Sequence, residues 1–482
     1  MLYWGDPHGG QLHDPKKIPG FFRYARDVSG IDFTGYQPND HRVSTEEYAL
    51  QQEAERAFYE PGRFVPLPGF EWSAETEEGG HHNVYFRRHD QPIRRSFHLP
   101  SIADQDDVDT DLPHILDVHQ AYRYADAVIT PHVGGDMADL QYHEPNLEPA
   151  IEMTSTHGTF EWFLEDALSR RYRVGFIGGS DGYTGRPGAE YPGYVDRRYA
   201  KGGLAALYAK ELTIAGILEA LKSRRAYGTT GARILLRVNG DGHMMGTEYR
   251  THSSPNISAS VIGTAPLESV ELFRGLEKVY DHPLELGTVG NRVRILWEGA
   301  SRTTSYSGVI WDGSLEVAGG SIRLLEKIRF DSPRSHVHDL TEDGLCWHSV
   351  ACGYRSGLVL KVEGGEDVEL KLAVSLDLIS RAFYGSPDDR RSHMSYGPAE
   401  NISFTFRMAD LVSGPKEMEI GPLNRKVTVS LAPDPDGARS AEFSFTDPAP
   451  RPGINPYWLR VAQTDGETAW SSPLFADYVV EE

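Results

Sequence analysis

Short apolar segments alternate with segments of helical periodicity over about the first 232 residues of the chain. The apolar segments have the length of buried strands and begin at residues 2, 31, 67, 81, 127, 150 and 174. Between two of them, Phe160, Phe163 and Leu164 begin a pattern typical of an amphipathic helix that faces a sheet. Repeated strand–helix units are typical of parallel strands, so we expect an α/β region built on a barrel or a doubly wound sheet.

Polar residues and glycines mark the expected ends of the helices. Ser44 and Glu47 form a capping box at the start of one helix, and Thr213 can cap the start of another. Gly30 is placed to end the helix that follows the first strand. A further helix is expected over residues 112–124, just before the strand that begins at residue 127.

Beyond about residue 233 the pattern changes to short strand-like runs separated by Gly, Pro, Asn and Asp. Such runs occur at residues 234–238, 269–274, 358–362, 402–406 and 427–431, and helical periods are scarce. We therefore expect an antiparallel β-sandwich region over residues 233–482, in one or two packed units. The predicted α/β region occupies residues 1–232.

The length and apolar content of the chain restrict its class. A chain of 482 residues is too long for one ordinary hydrophobic core, so two to four domains are expected. No apolar run reaches the roughly 18 residues that a membrane span needs. The N-terminus has no basic segment followed by an apolar stretch, so no signal peptide is visible. These features predict a soluble, cytoplasmic protein with no membrane partner.

Charge and cysteine content exclude two further classes. A formal net charge of -22 argues against nucleic acid as a partner, because a phosphate backbone needs a basic face. Cys346 and Cys352 are the only cysteines. They could form one disulfide, but two isolated thiols in a reducing compartment are the expected state. From this count, zinc sites built on thiolates are excluded.

Four of the apolar segments end on a side chain that can bind a metal ion. These side chains are His8, Glu71, His132 and Asp181, and His81 opens another segment. The carboxyl ends of parallel barrel strands meet at one face, which would bring such side chains together. Imidazole combined with carboxylate suits zinc, manganese or iron better than calcium, which prefers oxygen ligands alone. The pattern therefore predicts a buried metal centre.

Each of these residues also has an interpretation without a metal. A single histidine at the end of a strand is commonly a hydrogen-bonded polar group. Glu71 could be a buried salt-bridge partner, and Asp181 could be a helix N-cap. Only one of His81 and His82 can point inward if they lie in a strand. Four strand exits in order, each with a ligand type, favour the metal centre.

Five motifs carry this pattern: Gly5-Asp6-Pro7-His8, Pro68–Ser73, His81–Val84, Pro131-His132 and Gly179–Gly188. As a set they resemble the motifs of the PHP (polymerase and histidinol phosphatase) superfamily, and most closely its branch named domain of unknown function 3604. Residues 221–231, 456–461 and 469–473 resemble the same branch, so the resemblance reaches both ends of the chain. It implies a distorted seven-stranded β/α barrel of TIM-like form, and a hydrolase with up to three metal ions that typically acts on phosphoesters.

The resemblance also implies a role for each matching residue. His8 would be the first histidine of the superfamily's His-x-His motif, and Asp181 would be the acid of its final Asp-x-His motif. Glu71 would bridge two metal ions, and His81 and His132 would bind the second of them. These five residues are the predicted metal ligands.

Three positions depart from the superfamily pattern. Gly10 stands where the second histidine of the first motif belongs, and Tyr183 replaces the closing histidine of the last motif. Asn39 stands near the histidine expected after the second strand, where Asp40 or His41 could substitute. The loss of three imidazoles should empty most of one metal position. We therefore expect one or two divalent ions, of zinc, manganese or iron, instead of three.

Further candidates lie near the predicted ligands. The candidate catalytic residues are Glu71, His157, Tyr183 and Arg186. Arg186 or His157 would steady developing charge, although Arg186 could instead pair only with Glu190. Tyr183 could be a phenolic acid, a hydrogen-bond donor to substrate or a residue without a role in the chemistry. Additional candidate ligands are His13, Gln37, Asn39, Asp40, His41 and Glu152.

The leading functional hypothesis is a metal-dependent hydrolase in which metal-activated water attacks a phosphoester at the C-terminal face of the barrel. The substrate would be a small molecule that is anionic or an ester. Two alternatives stay open. One is a degenerate protein that binds a ligand or a carbohydrate, and the other is a metal hydrolase or lyase that acts on a non-phosphate bond. The residues specify neither the substrate nor the oligomeric state.

Overall fold

The computed structural model describes residues 1–10, 14–99, 107–193, 198–302, 308–384, 391–396 and 400–480. The α-helices in this part of the chain are α1 (Ile18–Tyr24), α2 (Thr45–Phe58), α3 (Ile115–Tyr122), α4 (Glu161–Ser169), α5 (Ile214–Lys222) and α6 (Met408–Val412). Single 3-10 turns lie at Pro15–Lys17, Asp40–Arg42, Thr76–Glu78, Val108–Thr110 and Leu140–Tyr142, and a π-helical turn over Ala25–Ser29 continues α1. Among the described residues, no helix is long and apolar enough to cross a membrane.

Strands are the commoner element in both parts of the chain. The N-terminal strands are β1 (Leu2–Gly9), β2 (Phe33–Tyr36), β3 (Val65–Leu67), β4 (Gly69–Ser73), β5 (His81–Phe86), β6 (Ala127–Pro131), β7 (Ala150–Glu152), β8 (Thr154–Ser155), β9 (Gly158–Thr159), β10 (Gly175–Ile177), β11 (Leu204–Tyr208) and β12 (Ala226–Thr229). The later strands are β13 (Leu235–Gly240), β14 (His243–Met244), β15 (Glu248–Thr251), β16 (Asn256–Ile262), β17 (Leu267–Arg274), β18 (Glu277–Asp281), β19 (Thr288–Glu298), β20 (Gly308–Ala318), β21 (Ser321–Ile328), β22 (His336–His338), β23 (Gly344–Ala351), β24 (Ser356–Glu363), β25 (Glu369–Tyr384), β26 (Arg391–Tyr396), β27 (Glu400–Arg407), β28 (Lys416–Gly421), β29 (Arg425–Pro433), β30 (Ser440–Thr446), β31 (Gly453–Gln463), β32 (Thr468–Ser471) and β33 (Leu474–Tyr478).

The local helix signals agree with the structure, and the helix ends differ by a few residues. The Ser44 hydroxyl accepts a hydrogen bond from the Glu47 backbone N–H at 3.1 Å, and the Glu47 carboxylate accepts one from the Ser44 N–H at 2.9 Å. Gly30 ends the α1 segment in a left-handed conformation, with φ 59°. The helix expected over residues 112–124 is shorter, because the His114 side chain caps its first turn.

The N-terminal strands are only partly parallel. β1, β2 and β3 pair in parallel, and so do β7 and β10. By contrast, β4, β5 and β6 form an antiparallel sheet, and β11 pairs antiparallel with β1. The expectation of parallel strands throughout is therefore wrong. Residues 74–80 link β4 to β5 and are too few for the crossover that a parallel pair requires.

The predicted seven-stranded barrel is not confirmed, because no sheet formed by the described residues closes on itself. Some neighbouring sheets are joined by isolated contacts. A parallel bridge links Asn39, after β2, to Glu71 in β4, and the Gly203 N–H donates to the Gly179 carbonyl at 2.8 Å. The fold is a mixed α/β arrangement of several sheets, in which strands predominate.

One sheet contains strands from both sides of the predicted boundary at residues 232 and 233. Its order runs β15-β33-β31-β32-β12-β11-β1-β2-β3, with β17 attached to β31. The Phe176 N–H in β10 donates to the Ser472 hydroxyl at 3.0 Å, and the Trp470 indole donates to Glu161 in α4 at 2.7 Å. The division into residues 1–232 and 233–482 stays a prediction, and the last strands help to position β10 and β12.

Two antiparallel sheets occupy much of the later part of the chain. One has the order β21-β24-β19-β29-β28, and the other has the order β22-β23-β20-β25-β26 with β27 beside β25. Side chains of both sheets belong to one hydrophobic cluster. Trp297 of β19 stacks on Trp347 of β23 with ring centroids 5.0 Å apart. The antiparallel pairing agrees with expectation, while the assignment as a β-sandwich stays a prediction.

Candidate metal centre

The five predicted metal ligands come from separate strands. His8 lies in β1 and Glu71 in β4, His81 opens β5, His132 follows β6, and Asp181 lies shortly after β10. All five are buried, with relative exposures between 0% and 8%. The structure brings all five side chains into one cluster.

The antiparallel pairing of β4 with β5 explains how His81 reaches this cluster. Ser73, at the end of β4, lies opposite His81, at the start of β5. In turn β6 runs antiparallel to β5, so the end of β6 lies beside the start of β5. The end of β4, the start of β5 and the end of β6 are therefore adjacent, which places Glu71, His81 and His132 side by side.

Glu71 lies between three histidines. Its Oε1 is 2.6 Å from Nδ1 of His81 and 3.8 Å from Nε2 of His132. Its Oε2 is 3.3 Å from Nε2 of His8. The two carboxylate oxygens therefore face different histidines, and the bridging role that the resemblance implies for Glu71 stays a prediction. The Ser73 hydroxyl also lies 3.1 Å from Oε1 and helps to hold it.

Asp181 is held from several sides. Its Oδ1 accepts a hydrogen bond from the Arg198 guanidinium at 3.0 Å and lies 3.8 Å from Nε2 of His8. Its Oδ2 lies 2.9 Å from Nε2 of His157. The Asp181 backbone is left-handed, with φ 47°, a conformation that few residues other than glycine adopt. Its N–H donates to the His8 carbonyl at 2.5 Å, which stabilises this turn.

Two groups of three ligand atoms result from this packing. His8, His132 and Asp181 form one group, and Glu71, His81 and His132 form the other. Within each group, all three ligand atoms lie within 4.8 Å of one another. His132 belongs to both groups. Mixed imidazole and carboxylate ligands suit zinc, manganese or iron, so the residue types fit the implied metal ions.

His132 provides a separate test of this fit. It is 1% exposed, and neither of its ring nitrogens has a hydrogen-bond partner among the described residues. Buried polar side-chain atoms in proteins normally do have such partners. Burial, together with the nearby His8, lowers the pKa of His132 well below its usual range. The imidazole is therefore neutral, which is the state that binds metals.

His8 is oriented by Glu152, the last residue of β7. Nδ1 of His8 lies 3.1 Å from both carboxylate oxygens of Glu152. Because a carboxylate accepts hydrogen bonds, Nδ1 carries the proton and Nε2 faces Glu71 and Asp181. Ligating histidines are commonly held in this way by a carboxylate. Glu152 was an additional ligand candidate, and the structure places it behind His8.

Electrostatic interactions shift the pKa values of the clustered groups. Burial raises the pKa of the Glu71 carboxyl, but the neighbouring His81 and His8 lower that pKa well below its usual range. Burial also raises the pKa of the Asp181 carboxyl, but the nearby Arg198 guanidinium lowers that pKa well below its usual range. Burial lowers the pKa of His8, whereas the surrounding carboxylates raise it well above the usual value. A divalent cation would supply the positive charge that these carboxylates attract.

Gly10 stands where the sequence resemblance would place a histidine, and the structure leaves no room for a side chain there. Its φ is +85°, in the region that favours glycine. A Cβ atom at Gly10 would lie 2.3 Å from the ring of Tyr36, the last residue of β2. The Tyr36 ring therefore fills the space beside Gly10, while the expected number of metal ions stays a prediction.

Residues after β2 support the centre from outside the two ligand groups. Asp40 accepts hydrogen bonds from the backbone N–H groups of Ser73, at 3.1 Å, and Ser96. His41 lies 3.2 Å from Asp40 and stacks on the Phe97 ring. These bonds connect Asp40 and His41 to the backbone around the end of β4.

The remaining ligand candidates have different positions. Asn39 donates to the Ser73 hydroxyl at 2.9 Å, and that hydroxyl contacts Glu71. Gln37 is fully buried. His13 lies outside the described residues. Among the described residues, none of these candidates belongs to either ligand group.

The catalytic candidates differ in their distance from the ligands. His157 is buried and contacts Asp181, as described above. Tyr183 is partly exposed, and its ring lies 4.6 Å from the Arg198 guanidinium. Arg186 is exposed, and its guanidinium lies over the Tyr191 ring at 5.3 Å.

Arg186 pairs with Glu190 as one interpretation expected, but the hydrogen bond comes from the Arg186 backbone N–H and not from its guanidinium. Glu190 accepts a hydrogen bond from the Arg186 backbone N–H at 2.8 Å and others from Thr184. The Glu190 carboxylate therefore shapes the loop after Asp181.

Arg198 is the residue that sequence reasoning missed. It is 5% exposed and belongs to the loop rich in Gly, Tyr and Arg that follows Asp181. The adjacent pair Arg197-Arg198 in an otherwise acidic chain was the available signal. A loop arginine is exposed in most proteins, so only the packing identifies this one as a partner of Asp181.

Comparison with protein families agrees with the branch that the motifs resemble. A model of the family described as a protein of unknown function (DUF3604) matches residues 25–157 and 191–261. The matched segments, which make up less than half of the chain, include Glu71, His81 and His132. His8 and Asp181 lie outside them.

Curated relatives are uncharacterized proteins of Chlamydia species. One from Chlamydia pneumoniae is 26% identical over 308 residues, which cover 58% of this chain and 48% of the relative. One from Chlamydia trachomatis is 30% identical over 144 residues, which cover 28% of this chain and 22% of the relative. The chain thus spans less than half of the length of these relatives.

One solved structure aligns over most of the chain. It is a crystal structure of a two-domain protein from Bacteroides vulgatus, described as containing a predicted PHP-like metal-dependent phosphoesterase. The alignment covers 82% of this chain and 95% of that chain, with 11% identity and a TM-score of 0.33. At this score the similarity supports no conclusion about this chain.

Proposed function

We propose that this protein is a metal-dependent hydrolase of the PHP type that cleaves a phosphoester of a small anionic substrate. One observation carries the proposal: five buried side chains that are distant in sequence form two groups of ligand atoms, each within 4.8 Å. The ring nitrogens of His132, which have no hydrogen-bond partner in the part of the chain that the structure describes, support a bound cation at this point. The match to the DUF3604 family over residues 25–157 supports the sequence resemblance on which the PHP assignment rests.

The residues that would hold one or two divalent ions are His8, Glu71, His81, His132 and Asp181. When bound, such an ion supplies an electrophile for a phosphoryl oxygen and lowers the pKa of water. Glu152 holds Nδ1 of His8, so that Nε2 faces Glu71 and Asp181 and would be the ligand atom once an ion displaces its proton.

Three residues of the chain would handle charge around the bound ions. His157 contacts Asp181 at 2.9 Å through Nε2, and we assign its imidazole to steady the charge that develops on the leaving oxygen. Arg198 holds Asp181 at 3.0 Å and is a positioning residue. We propose that the exposed guanidinium of Arg186 attracts an anionic group of the substrate.

Elemental analysis of the purified protein, beside a Glu71→Gln variant, tests the metal centre. We expect bound zinc, manganese or iron in the natural chain and at least tenfold weaker binding in the variant, because the bridging carboxylate is lost. Glu55→Gln is a matched control, since Glu55 is equally buried but contacts Gln51 and His89. A natural chain without tightly held metal, unaffected by Glu71→Gln, would favour a degenerate binding protein.

A substrate panel tests the bond that is cleaved. Phosphate mono-, di- and triesters are compared with carboxylic esters under saturating metal. We expect turnover of at least one phosphoester class and its loss in His157→Ala. Turnover of carboxylic esters alone would assign the centre to a non-phosphate reaction instead.

A further inference from the structure

A second cluster of metal-binding side chains lies on the sheet that contains β22, β23 and β20. Within it, His336 and His338 of β22 lie opposite His348 and Cys346 of β23, respectively. Directly paired residues of antiparallel strands place their side chains on the same face of a sheet. These four residues, which we call the outer histidine face, therefore share one side of the sheet.

Burial shows that this side faces outward. Leu345 and Trp347, which alternate with Cys346 and His348 in β23, are buried in the hydrophobic cluster between the two sheets. The side chains of His338 and His348 are 46% and 29% exposed. The outer histidine face is therefore accessible to an ion from solvent, and it belongs to a different sheet from the strands of the buried metal centre.

Each histidine of the outer histidine face has its Nδ1 bound to an oxygen acceptor. Nδ1 of His336 lies 2.7 Å from the Arg334 carbonyl, and Nδ1 of His338 lies 2.8 Å from the Asp339 carboxylate. Nδ1 of His348 lies 2.7 Å from the carboxylate of Asp312 in β20.

These contacts determine where the ring protons lie. Because carbonyl and carboxylate oxygens only accept hydrogen bonds, each Nδ1 carries the proton in the neutral ring, and each Nε2 carries a lone pair. A backbone or carboxylate oxygen behind Nδ1 is the usual arrangement around histidines that bind a metal through Nε2. The chain thus fixes the proton position of three imidazoles before any ion binds.

The spacing of the rings agrees with a shared ion. The ring centroid of His336 lies 5.5 Å from that of His338 and 5.6 Å from that of His348. Two imidazoles on one zinc ion, with Zn–N distances of about 2.0–2.1 Å, have centroids roughly 5 Å apart. Ligand atoms of His338, Asp339 and Cys346 lie within 4.8 Å of one another, whereas among the described residues His336 and His348 belong to no such group. The His338–Cys346 pair is therefore the preformed part of the face, and the rings of His336 and His348 would turn toward an ion bound there.

We propose that the outer histidine face is a second metal site, which binds a zinc-like divalent ion through His336, His338, His348 and the Cys346 thiolate. As the metal–sulfur bond forms, the Cys346 thiol loses its proton to solvent. The cysteine count in the sequence excludes sites with several thiolates, but it does not exclude one thiolate among imidazoles. This site is independent of the proposed hydrolase function.

Titration of the full chain with Co²⁺ tests the site, because a thiolate ligand produces a sulfur-to-cobalt charge-transfer band in the near ultraviolet. We expect this band in the natural chain, its loss in Cys346→Ser, and its retention in Cys352→Ser. Cys352 is the matched control because it is buried and is the only other cysteine. The buried metal centre contains no cysteine and does not produce the band.

A second measurement separates coordination from nonspecific effects. We expect His336→Ala to weaken the Co²⁺ affinity, measured from the charge-transfer band, at least tenfold. His252 is an exposed histidine in the loop between β15 and β16, and we expect His252→Ala to leave this affinity unchanged. Circular dichroism confirms that each variant is folded. Absence of the band in the natural chain, or its persistence in Cys346→Ser, would overturn the proposal.

Discussion

At the scale of single residues, the partner of each histidine decides what that histidine can do. His8 donates through Nδ1 to Glu152, so its Nε2 faces the other ligands. His119 and His143 are in a different position, because both contact the carboxylate of Glu148, at 2.7 Å and 2.9 Å. The first arrangement leaves Nε2 of His8 facing Glu71 and Asp181, as the proposed ligand role requires, whereas the second forms a buried hydrogen-bond network.

Replacement of Glu152 with alanine should weaken metal binding at the buried centre by about 10–100-fold, because His8 loses the group that orients it. Glu152→Gln should restore part of the affinity, since its amide oxygen can still accept the Nδ1–H bond. Equilibrium dialysis with Zn²⁺ measures both variants. If the Glu152→Ala variant bound Zn²⁺ as tightly as the natural chain, Glu152 would not position His8.

The Glu148 network should make stability depend on acid pH. Burial raises the pKa of Glu148, but hydrogen bonds from His119 and His143 lower it to about 2. A carboxyl with a lowered pKa in the folded state stabilises the fold above its ordinary pKa, and this contribution is lost as the pH falls towards 2. The contribution is on the order of 3 kcal/mol at neutral pH, and roughly 2 kcal/mol of it is lost by pH 3.

Glu148→Gln tests this dependence. The difference in unfolding free energy between the natural chain and the variant should be largest near pH 7 and shrink as the pH is lowered to 3. Urea unfolding at several pH values provides the measurement. A difference in unfolding free energy that stays constant with pH would show that Glu148 does not contribute to the acid dependence of stability.

At the scale of elements, strand direction assembles the buried centre. The sequence predicted which segments end on a ligand, and the structure brings those ligands together. It does so with antiparallel β4, β5 and β6, because the link between β4 and β5 is too short for a crossover. Strand direction depends on connection length and packing, which hydrophobic periodicity does not report.

The contact between Gly10, just after β1, and Tyr36 of β2 leaves no room for a side chain at Gly10. Gly10→Ala should lower the unfolding free energy by about 2–4 kcal/mol, through left-handed strain and overlap with Tyr36. Gly62→Ala is the control, because Gly62 has a similar φ of +81° with nothing within 4 Å, so only about 1–2 kcal/mol is expected. Equal losses in urea unfolding would show that Tyr36 does not fill the position.

At the scale of the whole molecule, the last strands belong to the sheet that carries the first ones. β32 pairs with β12, and Trp470 is buried against α4. A composition boundary at residue 233 does not reveal such pairing, because strands from distant parts of a chain can join one sheet. The buried metal centre therefore depends on residues near both ends of the chain.

Trp470→Ala should lower the unfolding free energy by about 3–5 kcal/mol, because a fully buried ring is removed from the packing around β10. Hydrogen exchange should rise in residues 175–177 and 226–229. Trp311→Ala, in the cluster between the two later sheets, is the control and should leave exchange in those segments unchanged. Equal exchange in both variants would contradict the link between the last strands and β10.

The sequence by itself determined the strand–helix alternation, the change to strands near residue 233 and the five side chains that converge on one point. Periodicity and ligand chemistry are local properties, so they can be read along the chain. Only the tertiary structure decided the strand directions and the position of Arg198 beside Asp181. It also decided that Tyr36 fills the space beside Gly10 and that the residues of the outer histidine face lie on one side of a sheet. Each of these depends on contacts between residues far apart in sequence, and such contacts exist only once the chain has folded.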